Sequence, residues 1–101
     1  MPRKRQVSLS LRTRRDLRKT YDWYEKQRVG LGRRFTRAVV EALDLAIERP
    51  TSFPISHKDV RRVILSAFPY GMFFRVIDDV IRVVGVIHLH RRPSAWRRRT
   101  Q

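Results

Sequence analysis

The run from Val60 to Arg92, VRRVILSAFPYGMFFRVIDDVIRVVGVIHLHRR, constrains the fold more than any other stretch, because everything else in the chain must pack against it. Three segments rich in Val, Ile and Phe, from Val60 to Ala67, Gly71 to Ile77 and Val80 to Leu89, read as β-strands. They are separated by Phe68-Pro69-Tyr70-Gly71 and by Asp78-Asp79. Short turn-forming breaks of this kind predict an antiparallel meander.

Two-residue turns at Pro69-Tyr70 and Asp78-Asp79 would set Phe73 opposite Ser66 on one side and Val84 on the other. Paired residues share a face. One face then collects Val63, Leu65, Ala67, Met72, Phe74, Val76, Ile81, Val83, Ile87 and Leu89, an apolar surface that must be covered. The other carries Arg62, Ile64, Ser66, Phe73, Arg75, Arg82, Val84, Val86, His88 and, if the strand continues, His90. In this register Arg75 lies directly across from Arg82. Like charges so placed are destabilising unless an anion or a local partner offsets them. The pair therefore marks either an anion-binding surface or two long side chains splayed into water. A slip of one residue in either hairpin would exchange the faces.

Upstream, Val7-Ser8-Leu9-Ser10-Leu11 alternates as a strand with one buried face, which would join the meander through Val7, Leu9 and Leu11. Thr13 followed by Asp16 matches a helix start signal, and Leu17, Tyr21, Tyr24 and Arg28 recur at helical spacing to about residue 28. The link Val29-Gly30-Leu31-Gly32 leads to a second, stronger apolar stripe of Leu31, Phe35, Ala38, Val39, Ala42, Leu43, Ala46 and Ile47, closed by Pro50. So short a link makes an antiparallel helical hairpin, the natural cover for the apolar sheet face. The segment 51–59 has no period and reads as a loop anchored by Phe53. Beyond the sheet, Trp96 can fold a short turn back onto it. The elements predict an α+β fold in the order β-α-α-β-β-β, a mainly antiparallel sheet with a helical hairpin on one face, forming one domain over residues 1–101 with basic tails at both ends.

The chain carries 24 Lys and Arg against 9 Asp and Glu, a formal net charge of +15. Such a balance points to a polyanionic partner: nucleic acid, ribosome or an acidic protein. Removing the eight cations near the ends (Arg3, Lys4, Arg5, Arg91, Arg92, Arg97, Arg98, Arg99) still leaves +7, so the body is basic without its tails. With no cysteine there is neither a disulfide framework nor a thiolate metal site. No apolar run reaches the roughly 20 residues of a membrane-spanning helix, and the N-terminus lacks the apolar core of a signal peptide. The expectation is a soluble cytoplasmic protein with no membrane partner.

The nine acids fall on helices, in a loop or in the Asp78-Asp79 turn, so neither converging carboxylates for a two-metal nuclease nor a facing glycosidase pair is in view. His88-x-His90 offers two imidazoles where a zinc site wants three or four protein ligands. No metal and no small-molecule cofactor is expected. His88 beside Arg62 and Arg75 is the sharper arrangement, since guanidinium groups can hold a phosphate while an imidazole moves a proton; the plainer one is a histidine that ends a strand with a hydrogen bond. The aromatics Tyr21, Trp23 and Tyr24 sit on a helix and are expected to pack, so a base-stacking platform of the RRM kind is not supported.

The ordered set Asp16-Leu17, Trp23-Tyr24-Glu25, Leu31-Gly32, Phe35, Pro50, Arg61-Arg62, Phe68-Pro69-Tyr70-Gly71, Phe74-Arg75-Val76, His88, Arg91, Pro93 and Trp96 resembles the RelE/ParE superfamily of toxins from bacterial type II toxin-antitoxin systems. The resemblance spans nearly the whole chain and implies a curved sheet and a growth-arresting toxin. It also implies a cognate antitoxin, whose partly disordered segment wraps and neutralises the toxin. RelE-like members cleave messenger RNA in the ribosomal A site; ParE-like members poison DNA gyrase. The WYE and FPYG elements lean to the ParE side, and the chain has no Tyr after Tyr70 and no Lys after Lys58, both frequent in RelE-like members. If the chain is an enzyme, it is a metal-independent, ribosome-dependent endoribonuclease using Arg62, Arg75 and His88, with Arg61, Arg82, His90, Arg91 and Arg92 available to bind nucleic acid or the target. A non-toxic nucleic-acid or ribosome-binding module is the third possibility.

Overall fold

The computed structural model describes residues 5–91 and 97. Among them the order is β1 (Gln6–Leu9), α1 (Leu11–Gln27), α2 (Leu31–Glu48), a 3-10 turn at Pro50–Ser52, β2 (Ile55–His57), β3 (Val60–Ile64), β4 (Tyr70–Ile77) and β5 (Val80–His88). The sheet runs β1-β5-β4-β3-β2. The four later strands form an antiparallel meander, and β1 adds to it parallel to β5, pairing Val7 with Ile81 and Leu9 with Val83. The α+β architecture expected from the sequence is present, with one strand more: part of the segment read as a loop is the edge strand β2, which turns into β3 through Lys58-Asp59, Lys58 having a positive φ.

The helical hairpin covers one sheet face, because Phe35, Ala38, Val39, Ala42 and Ala46 of α2 form a continuous apolar stripe that meets Val63, Leu65, Met72, Phe74, Ile81, Val83 and Val86 in one core. Phe53 packs edge-on to Phe74, the anchoring role expected of it. The first helix starts earlier than Thr13: Ser10 is its N-cap, accepting from Thr13 N at 3.1 Å, so Leu11 begins the helix, exposed, instead of extending β1. Thr13 itself is fully buried. Its hydroxyl accepts from Ser10 Oγ at 2.9 Å and donates to the Val84 carbonyl at 3.3 Å, tying the helix start to the middle of β5.

The hairpin β4–β5 has the expected register, with Arg75 opposite Arg82 around the Asp78-Asp79 turn, whose two residues have φ of 50° and 65°. Asp tolerates that left-handed geometry better than most residues. The hairpin β3–β4 differs. Phe73 lies opposite Arg62, not Ser66, because β3 ends at Ile64 and the chain crosses to β4 through a longer loop. That loop is closed by Leu65 N to Tyr70 O at 2.9 Å and carries Ala67 at φ 67°. The four-residue offset is even, so the strand faces survive, but Ala67 and Ser66 leave the sheet and are exposed. The loop is held because Phe68 and Tyr70 enter an aromatic cluster with Tyr24 and Phe35, ring centroids 5.0 to 6.3 Å apart.

A β-bulge overturns one part of the predicted register. Phe73 pairs with Gly85 and Phe74 with Val83, which leaves Val84 as the extra residue of β5. Past a bulge the alternation shifts by one. Val86 therefore packs into the helix-side core, while Ile87 joins Val60 and Phe73 in a smaller cluster on the open face, with Val84 beside it.

The two helices are latched by Glu25. Its carboxylate accepts from Gly30 N at 3.1 and 3.0 Å and from Gly32 N at 3.0 Å, serving the amides at the start of α2 that lack helical acceptors. Gly30, at φ 90°, makes the reversal. A Cβ on Gly32 would stand 2.9 Å from Tyr21 Cε2 and 3.0 Å from Glu25 Oε1. We expect Glu25→Ala to cost about 1–2 kcal/mol, the scale of a charge-assisted cap. Gly32→Ala should cost somewhat less in the Glu25→Ala background than in the wild type, since part of its clash is with the same carboxylate while the contact with the Tyr21 ring remains. Urea unfolding of the four proteins of the cycle measures both.

Candidate functional site

The open face has an apolar centre and a cationic hollow at each end. The centre is Val60, Phe73 and Ile87, all buried, with half-buried Val84. One hollow, at the end of the meander where β4 begins and β5 ends, is lined by Ile55, Arg62, Phe73, His88, Arg91 and Arg97, among others. The other, where β1 meets α1, is lined by Ser8, Ser10, Arg12, Arg75, Arg82 and the Val83-Val84 segment.

The structure thus divides the trio Arg62, Arg75 and His88. Arg62 and His88 border the first hollow and Arg75 the second. His88 is not on the face predicted for it. Beyond the bulge it pairs with Tyr70, whose ring stands against Phe35 on the helix side, and its imidazole meets the Tyr70 ring edge-on at 5.1 Å. Lying at the end of β5, it also borders a cleft with Asp16, Lys19 and Thr20 of α1 and with Arg91. His88 Nδ1 accepts from His90 N at 3.1 Å, which leaves Nε2 as the nitrogen available to a ligand. The His88 and His90 rings lie 5.1 Å apart, and among the described residues no cluster of three or more His, Cys, Asp or Glu could hold a metal ion.

Arg75 has a local partner that sequence reasoning missed. Its Nε lies 3.0 and 3.1 Å from the two Asp59 oxygens and its Nη2 3.0 Å from one of them, a two-pronged ion pair. That bond, with the Arg75 charge, holds the Asp59 carboxyl below its ordinary pKa. Arg61 points its guanidinium to the Phe53 carbonyl at 2.6 Å and the Thr51 carbonyl at 3.4 Å, so it braces the loop before β2. Arg82, His90 and Arg91 are exposed; Arg92 and Trp96 lie outside the described residues. Arg5, counted with the basic tail by its position, is structural: Nη1 donates to Ile47 O at 2.6 Å, and Nε lies 2.9 Å from Asp79. His57, half-buried in β2, is held below its ordinary pKa by loss of water and by the cations Arg97 and Lys58. Arg12 also went unread, although a cation in the first turn of a helix that has no acid there is unusual enough to flag.

The helical hairpin on one face of the sheet and the family match together place the chain in a class, the toxins of the RelE/ParE superfamily. Residues 7–93 match the family described as the ParE toxin of the type II toxin-antitoxin system parDE, and the chain belongs to that family. No curated protein matches the sequence. Among solved structures, the chromosomal ParDE TA system from P. aeruginosa superposes with a TM-score of 0.73 at 18% identity, over 84% of this chain and 96% of that one. A free-state mutant of E. coli toxin RelE, with two arginines changed to alanine, superposes with a TM-score of 0.57 at 17% identity, over 87% and 86%. Among the described residues, no helix is long and apolar enough to cross a membrane.

The Asp59–Arg75 pair makes a pH prediction. A carboxyl with a depressed folded-state pKa contributes stability above its unfolded pKa and loses it as pH falls through the folded value. Asp59→Asn should therefore lower stability near neutral pH by no more than about 1 kcal/mol, the scale of an exposed pair. The difference from wild type should vanish in acid below the usual carboxylate range, as chemical denaturation across that range would record.

Proposed function

We propose that this chain is the growth-arresting toxin of a parDE-type pair, that it acts by poisoning DNA gyrase, and that a cognate antitoxin silences it. The observation that carries the choice of target is the separation of His88 from Arg75 along β4, where His88 pairs with Tyr70 and Arg75 with Arg82. The three groups that a metal-free RNA cleavage would use together line two hollows, and Arg75 is engaged by Asp59. Nothing in a gyrase poison requires those groups to converge. The ParE family match supports the same reading.

The antitoxin reading rests on the open face. Its apolar centre of Val60, Phe73 and Ile87, flanked by Arg62 and Arg91 at one end and by Arg75 and Arg82 at the other, suits an extended segment with apolar side chains between acidic ones. The apolar contacts would supply burial, and the charges orientation and rate of encounter.

A second reading has one specific observation in its favour. Arg62, His88 and Arg91 border one hollow, and His88 keeps Nε2 available, so an imidazole and two guanidiniums could address a single phosphodiester. That arrangement would allow messenger RNA cleavage through the ribose 2′-hydroxyl without Arg75.

Expression of the chain alone should stop bacterial growth and give broken DNA with an SOS response, and co-expression of the antitoxin should restore growth. Normal growth on expression of soluble protein would sink the proposal. His88→Ala and Arg62→Ala should retain toxicity within a few-fold. Codon-phased messenger RNA ends after induction, abolished by His88→Ala, would instead establish the endoribonuclease.

A further inference from the structure

Three arginines from three elements meet at the second hollow: Arg12 from the first turn of α1, Arg75 from β4 and Arg82 from β5. Ser8 of β1, paired with Arg82, lies on the same rim. Asp59 offsets one of the three charges through Arg75. Arg12 and Arg82 make no ion pair with any described residue, and Arg12 stands at the positive end of a helix with no acid in its first turn. Folding thus assembles a local excess of about two positive charges, at a cost in repulsion, from residues close together only in the tertiary structure. Neither the core nor the helical latch uses them.

From this arrangement we propose that the Arg12–Arg75–Arg82 hollow is a phosphate-binding site that holds one backbone phosphate of a nucleic acid. The shape of the donor set favours a phosphate over a carboxylate. A carboxylate presents two oxygens in one plane and suits a single guanidinium fork, as Asp59 already shows with Arg75. A tetrahedral phosphodiester accepts from several directions, which matches guanidiniums arriving from a helix start and two strands, with the Ser8 hydroxyl as a further donor. The hollow is shallow and lies on the open face beside the apolar centre, where a backbone can pass without being enclosed. The site does not depend on whether gyrase or messenger RNA is the target, since it concerns contact with the polyanion and not the chemistry performed on it.

The test is fluorescence anisotropy of a labelled 20-base-pair DNA duplex across a salt series, with inorganic phosphate as competitor. A protein of charge +15 binds any polyanion to some degree, so the comparison is between two variants of equal charge. One is Arg12→Gln with Arg82→Gln. The other is Arg33→Gln with Arg37→Gln, which removes exposed cations from α2, on the opposite side of the sheet. Near-UV circular dichroism checks that both remain folded. The hollow variant should bind about tenfold more weakly, and the magnitude of its salt slope should fall by about 1, the value of one phosphate contact. The α2 variant should keep the wild-type slope.

Equal losses in the two variants, or a hollow variant within twofold of wild type, would overturn the site. Inorganic phosphate that competes at millimolar concentration without any effect of the hollow variant on duplex binding would identify a free-phosphate pocket and overturn the backbone assignment. An acidic peptide that displaces the duplex from wild type but not from the hollow variant, at a concentration where phosphate does not, would assign the hollow to a protein partner instead.

Discussion

One extra residue in β5 determines which groups this protein presents. With Val84 bulged between the pairs Phe74–Val83 and Phe73–Gly85, every side chain after it exchanges faces. Val86 completes the helix-side core, Ile87 completes the small apolar centre of the open face, and His88 swings against Tyr70. The bulge is supported from outside the sheet. The buried Thr13 hydroxyl bonds the Val84 carbonyl, and Ser10 holds that hydroxyl while capping α1, so the start of the first helix and the irregular point of the last strand depend on each other.

The helical hairpin serves the sheet in a comparable way. Glu25 spans the reversal to serve the amides of α2, and Tyr24, one residue earlier, carries the aromatic cluster that pins the Phe68-to-Tyr70 loop. Burial and the neighbouring Tyr70 push the Tyr24 phenol above its ordinary pKa. Tyr24 and Glu25 of the WYE element and Phe68 and Tyr70 of FPYG, which carry the family resemblance, are therefore structural: they join the two helices to each other and to the sheet.

With the hairpin covering one face, cations line the open face and its ends as well as the outer surface of the helices. Their distribution is uneven by design of the fold and not of the sequence. Arg5 and Arg61 hold carbonyls and turns, Arg75 holds Asp59, and Arg12, Arg62, Arg82 and Arg91 border two separate hollows. A net charge of +15 says only that a polyanion is favoured. Which arginines are left to meet it follows from these local bonds.

The sequence by itself determined the types of the main elements, the helical cover, the Asp78-Asp79 turn and the β4–β5 register from that turn to the bulge, because each follows from local periodicity and turn chemistry within a few residues. It also carried the family, since an ordered set of short elements survives in linear form. The tertiary structure alone decided the edge strand β2, whose three residues are too few for a pattern, and the β3–β4 loop, which aromatic packing against Tyr24 and Phe35 lengthens beyond a tight turn. It decided the bulge as well. Gly85 inside a strand was the one local sign of it, and the bonds that support it come from Thr13, 71 positions away in the chain. Because face assignment in a strand has a period of two, that single residue was enough to exchange the faces of Val86, Ile87 and His88, and no reading of the strand in isolation could have placed it.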